Sequence, residues 1–363
     1  MKEKFESRSI TGSIKLALKD DKGNTIRTWE CDKEELCEHI TDVVDSYQAQ
    51  GYLLTLRQLY YQLVTKNYIP NHQTAYKKLS SIKDDLCYSG RLDWDAIEDR
   101  GRTPYLEYWV KGINHALQDT IDAYKLDRQK GQKVHIELWS EKDAISGILR
   151  RVTDKYHIKL CINKGYTSSS AVYEAYERFA AYMNNGIKVI VLYFGDHDPS
   201  GLDMVRDIEA RLKMMLANGR KIDYDNAYNF VQKSGMYHSH NNEYMVLKDW
   251  QENGEKEWGF DNQLCYVDNF FSVKHIGLTL DQIKQFKMVP NPAKITDPRA
   301  KGYIKKFGKV SWEVDALDPP QLVAIVEHYV KKEVDIKLFK NVVKEENKQR
   351  NTLKAHLKKF FKK

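Results

Sequence analysis

The sequence predicts an α/β protein: a helical N-terminal unit followed by a central, mostly parallel sheet flanked by helices. Three observations carry the prediction. Lys188 to Phe194 is an apolar run broken only by its first residue, short enough for a strand and too continuous for a half-exposed one, which suits the middle of a parallel sheet. A second, alternating strand precedes Glu141, and upstream of both the apolar residues recur at helical spacing in three successive segments. At 363 residues the chain is too long for one ordinary core, and its 42% hydrophobic content is that of a globular protein.

Taken in order, residues 1–34 read as an N-terminal extension built on a hairpin from Ile10 to Glu30, with a turn at Asp20-Asp21-Lys22-Gly23-Asn24. Residues 35–105 fit a winged helix-turn-helix. Leu36, Ile40, Val43, Val44 and Tyr47 mark its first helix, which ends before Gly51. Thr55 caps the second, whose stripe of Leu56, Leu59, Tyr60 and Leu63 makes Tyr60 a core residue. Tyr61 lies about 100° round from Tyr60, on the face that Arg57 occupies one turn earlier.

A third helix follows Pro70, with Asn71 as its cap and Ala75, Leu79, Ile82 and Leu86 buried before Gly90. Its exposed Gln73, Lys77, Lys78 and Lys83 suit phosphates and groove edges, although each lysine also fits a plain solvated face. Arg91 to Ile97 is then a wing or hairpin, with Arg100 and Arg102 as further phosphate contacts unless Asp99 pairs with one. Residues 106–133 form a linker, helical from Pro104 through Leu126. Residues 134–334 hold the sheet, its core running from Val134 to about Leu216 with a long C-terminal elaboration. Within the elaboration, Trp312-Glu313-Val314-Asp315-Ala316-Leu317-Asp318-Pro319-Pro320 reads as a strand-to-turn signal before a helix. Glu313 and Asp315 could join a metal site there, but a strand edge and helix cap is the simpler account.

Two acidic clusters carry the chemistry. Glu141-Lys142 and Asp196-His197-Asp198-Pro199-Ser200-Gly201 each follow a strand, and in open α/β sheets the strand C-termini rim the ligand crevice. Asp196 and Asp198 are two residues apart, so an extended chain sends both side chains to the same side, where they can share one hard cation with Glu141. Alone, an Asp-x-Asp before a Pro is as compatible with a solvated turn, and an acid after a strand with a helix N-terminus. A free phenol has a pKa of about 10 and is ionised to about one part in a thousand at neutral pH, so Arg57 beside Tyr61 would steady a phenolate or grip a phosphate.

These residues resemble the toprim domain of the topoisomerase VI A subunit and of the related meiotic double-strand-break transesterase. The family's Glu-Lys is similar to Glu141-Lys142, its Asp-x-Asp-Pro-x-Gly to Asp196 through Gly201, and its Gly-Tyr stretch to Asn163 through Ser170. Arg57-Gln58-Leu59-Tyr60-Tyr61 resembles its Arg-Asp-x-Tyr-Tyr signature. Gln58 stands in place of the Asp, His197 in place of the usual Pro, and Ser200 in place of a frequent aromatic. The resemblance implies a Mg²⁺-dependent enzyme that cleaves double-stranded DNA. In it Tyr61 attacks and becomes joined to the 5′ phosphate, Arg57 stabilises developing charge, Glu141, Asp196 and Asp198 hold Mg²⁺, and Glu141 also shuttles a proton. It further implies a homodimer in which one subunit's tyrosine meets its partner's metal-bearing sheet. The chain has no Gly-x-x-x-x-Gly-Lys-Ser/Thr loop, so ATP-driven strand passage would need a separate ATPase subunit. The rival readings are a hydrolytic toprim endonuclease of a mobile-element or anti-phage defence system, and a binding module with vestigial acids.

Net charge is +7, yet Lys331 to Lys363 alone holds twelve Lys or Arg against four Asp or Glu, a surplus of +8. The body is therefore near neutral, and residues 335–363 read as a basic tail, a solvated helix end or arm that would add salt-dependent DNA affinity. Leu338, Val342, Val343 and Leu353 point to some helix within it. Five cysteines without a Cys-x-x-Cys pair argue against a disulfide or zinc framework, and His238-Ser239-His240 reads as surface. No apolar stretch reaches membrane-spanning length and no signal-peptide core opens the chain, so the expected location is cytoplasmic, associated with the nucleoid, with no membrane partner.

Overall fold

The computed structural model describes residues 11–19, 24–98, 109–218, 222 and 266–360. An antiparallel hairpin, β1 (Ser13–Lys19) and β2 (Thr25–Asp32), lays Ile14 on the first helical unit. That unit is α1 (Lys33–Ala49), α2 (Leu56–Thr65) and α3 (Gln73–Tyr88), whose stripes of Leu36, Ile40, Leu59, Leu63, Leu79 and Ile82 close one core. Asp32 caps α1 by accepting from the amides of Glu34 and Glu35, and Thr55 with Gln58 forms a capping box on α2.

Two details depart from expectation. The cap of α3 is His72 rather than Asn71, because Asn71 turns its amide to Tyr60 and Asn291 instead. Residues 91–97 form no hairpin: burial of Leu92 and Ala96 lays the segment along the helices, as a 3₁₀ turn at Trp94–Ala96 and one bridge from Ile97 to Leu54. Arg100, Arg102, Cys265 and His238-Ser239-His240 lie outside the described residues.

The sheet is parallel, in the order β4 (Lys159–Ile162), β3 (Val134–Ser140), β5 (Lys188–Phe194), β6 (Phe271–Gly277). The two-residue period of the strands divides their side chains between two cores. Ile136, Leu138, Ile190 and Leu192 face α5 (Ser146–Tyr156) and α10 (Pro319–Glu333). Trp139, Val189, Val191 and Tyr193 face α6 (Ser169–Met183) and α7 (Pro199–Asn218). The fourth strand comes from the segment read only as elaboration. Its Ser272, Lys274 and His275 interrupt the apolar run, as an edge position permits.

Among the remaining elements, the linker helix α4 (Ile113–Ala123) is shorter than predicted, and α8 (Leu280–Gln285), β7 (Asn291–Pro292), α9 (Ala300–Phe307) and β8 (Val310–Ser311) lead to α10. The basic tail is a continuous helix, α11 (Ile336–Phe360). Its first half is docked rather than free, because the fully buried Glu346 takes Arg128 at 2.7 Å, Arg350 at 2.8 Å and the Leu126 amide at 3.1 Å. Among the described residues no helix is long and apolar enough to cross a membrane.

One buried ion cluster underlies the sheet. Glu137 on β3 is fully buried, and Arg178 of α6 grips it through two hydrogen bonds of 3.0 and 3.1 Å while Trp139 donates at 2.9 Å. Burial alone would raise the Glu137 pKa, but the hydrogen bonds from His135, Arg178 and Trp139 bring it down to about 2. Removing one partner from such a pair leaves a desolvated charge. Arg178→Met should therefore destabilise the protein by about 3–5 kcal/mol in urea unfolding, and adding Glu137→Leu should recover much of the loss.

Candidate functional site

The register of the sheet assembles the site. Ser140 pairs with Phe194, so β3 and β5 end at the same level and deliver Glu141-Lys142 and Asp196-His197-Asp198 side by side. His197 and Trp312 exchange backbone hydrogen bonds of 2.9 and 3.1 Å, and this bridge brings in a third acidic segment, Glu313 to Asp315. The chain is extended there: the His197 ring turns into a box of Tyr303, Phe307 and Trp312, its neutral form favoured by burial. Tyr303 shares a 2.9 Å contact with His197 Nδ1 and donates to its carbonyl oxygen at 2.8 Å.

Lys142 is the hub of the pocket. Its ammonium lies 2.7 Å from Asp196, 3.4 Å from Glu313, 3.8 Å from Asp315 and 3.9 Å from Glu141. Burial would lower its pKa, yet Asp196 and Asp315 hold it raised, so it stays charged. The second oxygen of Asp196 accepts the Val314 amide at 2.9 Å. Asp198 accepts the Gly201 amide at 2.6 Å, which makes it a cap for α7 as well as a candidate ligand. A Cβ on Gly201 would stand 2.3 Å from the Asp196 carbonyl oxygen, so the helix start can approach this closely only with glycine there.

The helical unit closes the pocket from the other side. Arg57 on α2 reaches Asp315 at 2.7 Å and also contacts Glu313. Asp315 is fully buried and neither of its oxygens accepts a directed hydrogen bond, so the Arg57 contact is Coulombic, off the N–H direction. Tyr61 lies one turn along, with the Arg57 guanidinium 5.9 Å from its ring centre. It is buried at 8% exposure, where an outward helix face would leave it wet, because it joins the core of the helical unit, edge-on to the Tyr60 ring. Burial raises its pKa, Arg57 opposes that rise, Asp315 adds to it, and a hydrogen bond from Asn291 favours the phenolate.

Five carboxylates thus gather near Lys142 and Arg57, and the pKa values of three of them are raised. Glu141 is pushed up to about 8, by burial first and then by Asp196 beside it. Asp198 is raised by burial, with the Gly201 amide opposing and Asp196 adding, and Asp315 is raised by burial against the pull of Lys142 and Arg57.

The donor chemistry fits a hard divalent cation, since every acid is a carboxylate and the repulsion between Glu141 and Asp196 is what such an ion relieves. The side chains as they stand do not present three ligands to one point: no such group exists among the described residues, with Lys142 between the acids and Asp198 turned to Gly201.

Of the other predicted contacts, Lys77 and Lys78 are exposed on α3, whereas Lys83 is held by Asp84 at 2.6 Å and lies over the Trp94 ring. Sequence reasoning undervalued Glu313 and Asp315 and missed Asn291. The acid-x-acid spacing of the first two was the available signal, while a lone Asn before Pro gave none. Comparison with known protein families, with curated proteins and with solved structures finds no match for this chain.

The shift of Glu141 sets a pH dependence. Its folded pKa of about 8 exceeds the ordinary 4.5, so the folded state holds the proton more tightly. The resulting stability is full below pH 4.5 and is lost as pH rises to about 8. Glu141→Gln should flatten that part of the profile, raising the melting temperature relative to wild type at pH 9 and changing it least at pH 4. Thermal unfolding followed by circular dichroism checks this.

Proposed function

We propose that this chain is a Mg²⁺-dependent DNA transesterase similar to the topoisomerase VI A subunit, pairing a helix-turn-helix unit with a toprim-type sheet and cleaving duplex DNA through a 5′-phosphotyrosyl intermediate. The reading rests on one observation: Tyr61 and Arg57 of α2 adjoin the acidic pocket at the ends of β3 and β5, linked to it through Asp315 and Lys142.

The residues divide the work. The Tyr61 oxygen bonds to phosphorus as the bond from phosphorus to the 3′ oxygen breaks; the phenol gives up its proton and the departing oxygen gains one. The exchange conserves one phosphodiester and reverses for religation. Arg57 and Asn291 favour the phenolate against burial. Arg57 keeps 41% of its side chain exposed, so a phosphate can compete with Glu313 for its guanidinium. Glu141 carries a proton through much of the neutral range and can pass it to the leaving 3′ oxygen. Asp196 and Asp198 would hold Mg²⁺, joined by Glu141 once deprotonated, and the ion would supply charge neutralisation at the phosphate.

A second reading draws on the burial of Tyr61: in a hydrolytic endonuclease of a defence system, water would attack and the phenol would only pack. Labelled supercoiled plasmid incubated with the protein and Mg²⁺, then denatured, separates the two. A transesterase leaves protein on the DNA. Tyr61→Phe should abolish both adduct and cleavage, Asp196→Ala should do the same, and Arg57→Ala should slow cleavage about 10²- to 10³-fold. Cleavage by Tyr61→Phe at the wild-type rate would establish the hydrolase instead.

A further inference from the structure

We infer that the outward face of α11 is a rail for the phosphate backbone of duplex DNA, a second contact that adds affinity without taking part in cleavage. The choice of duplex DNA as occupant rests on the transesterase reading; the face itself is defined by the helix.

At about 100° per residue, Lys337, Lys340, Lys344, Lys348, Lys358 and Lys359 fall within an arc of about 100° along α11. Only Asn341, Asn351 and Ala355 share that arc, so it holds neither an acid nor a large apolar side chain. All six lysines are exposed, and among the described residues none is ion-paired. The helix cannot roll to hide them. Glu346 lies about 180° from Lys337, fully buried against Arg128 at 2.7 Å and Arg350 at 2.8 Å, and on the same side Phe339 meets the Tyr156 ring at 4.8 Å between centres. Turning α11 would take that buried carboxylate from Arg128.

The dimensions suit a duplex. Lys337 and Lys359 are separated by about 33 Å along the helix axis, close to one turn of B-form DNA, which carries one charge per ~1.7 Å. Ammonium groups on flexible stems grip phosphates without reading bases. An anionic bilayer fits less well, because an interfacial helix inserts an apolar face, and here Ile336 and Phe339 are packed on the sheet core. Among the described residues Leu353, 39% exposed, is the one large apolar side chain that α11 shows to solvent. The rail also starts away from the chemistry. Gln132 and Asp335 exchange hydrogen bonds of 3.1 and 2.8 Å, which root α11 at the N-terminal end of β3. The acidic pocket lies at the C-terminal ends of the strands, about 20 Å along β3.

Salt-dependent binding tests this. The full-length protein carrying Lys340→Gln, Lys344→Gln, Lys348→Gln and Lys358→Gln together is compared with wild type and with the matching four Lys→Arg changes, melting curves showing that each folds. Affinity for a labelled duplex of arbitrary sequence is read by fluorescence anisotropy across a KCl series. Neutralising the four lysines should weaken binding about 10- to 10³-fold at low salt and flatten the plot of log affinity against log salt by about 0.9 per lysine, and arginine should restore both. Adduct formed on supercoiled plasmid with Mg²⁺ at saturating protein should match wild type. Unchanged affinity and slope overturn the inference, as does a loss that arginine fails to restore, or lysine-dependent binding to phosphatidylserine vesicles with duplex binding unaltered. Adduct formation is a separate readout: wild type that binds through these lysines yet forms no adduct overturns the transesterase reading and leaves the rail, whereas an adduct-forming protein whose neutralised variant binds as wild type loses the rail alone.

Discussion

The pocket is governed by the repulsion among Glu141, Asp196, Asp198, Glu313 and Asp315, gathered around the single ammonium of Lys142 and the guanidinium of Arg57. Two like charges 4 Å apart at a protein surface repel by about 4 kcal/mol, so ionising one acid disfavours ionising its neighbour. The upward shifts of Glu141, Asp198 and Asp315 are the visible response. A site arranged in this way has a standing demand for positive charge. Lys142 and Arg57 meet part of it.

That demand also explains why two folding units are fastened where they are. Among the described residues Asp315 faces two cations, Lys142 from the sheet and Arg57 from α2. The backbone holds the acids in place: His197 and Trp312 lock two acidic segments together, Val314 fixes one oxygen of Asp196, and Gly201 lets α7 start against its carbonyl. Groups set on strand ends and supported by backbone donors keep their geometry better than groups on free loops.

Burial of Tyr61 fits the same picture. A phenol at 8% exposure is shielded from bulk water, and in the proposed transesterase a shielded nucleophile beside a half-exposed arginine leaves the guanidinium as the point where a phosphate first engages. Its cost is a phenol harder to ionise, which Arg57 and Asn291 partly offset.

The sequence by itself determined the local elements. The stripe of Leu36, Ile40, Val43 and Tyr47, the Thr55 cap and the apolar run ending at Phe194 each encode their structure within a few residues, because helix and strand periods are short-range properties. Asp196 and Glu141 were legible for the same reason, as acids directly after strands. Only the tertiary structure decided that β6, with its broken apolar pattern, completes the sheet, that His72 displaces Asn71 as a cap, and that residues 91–97 pack flat instead of forming a hairpin. It alone brought Asp315 and Asn291, 258 and 230 positions beyond Arg57 and Tyr61, against them. Such meetings depend on strand register and on which charges are left unbalanced when two cores close, and neither is written in the spacing of neighbouring residues.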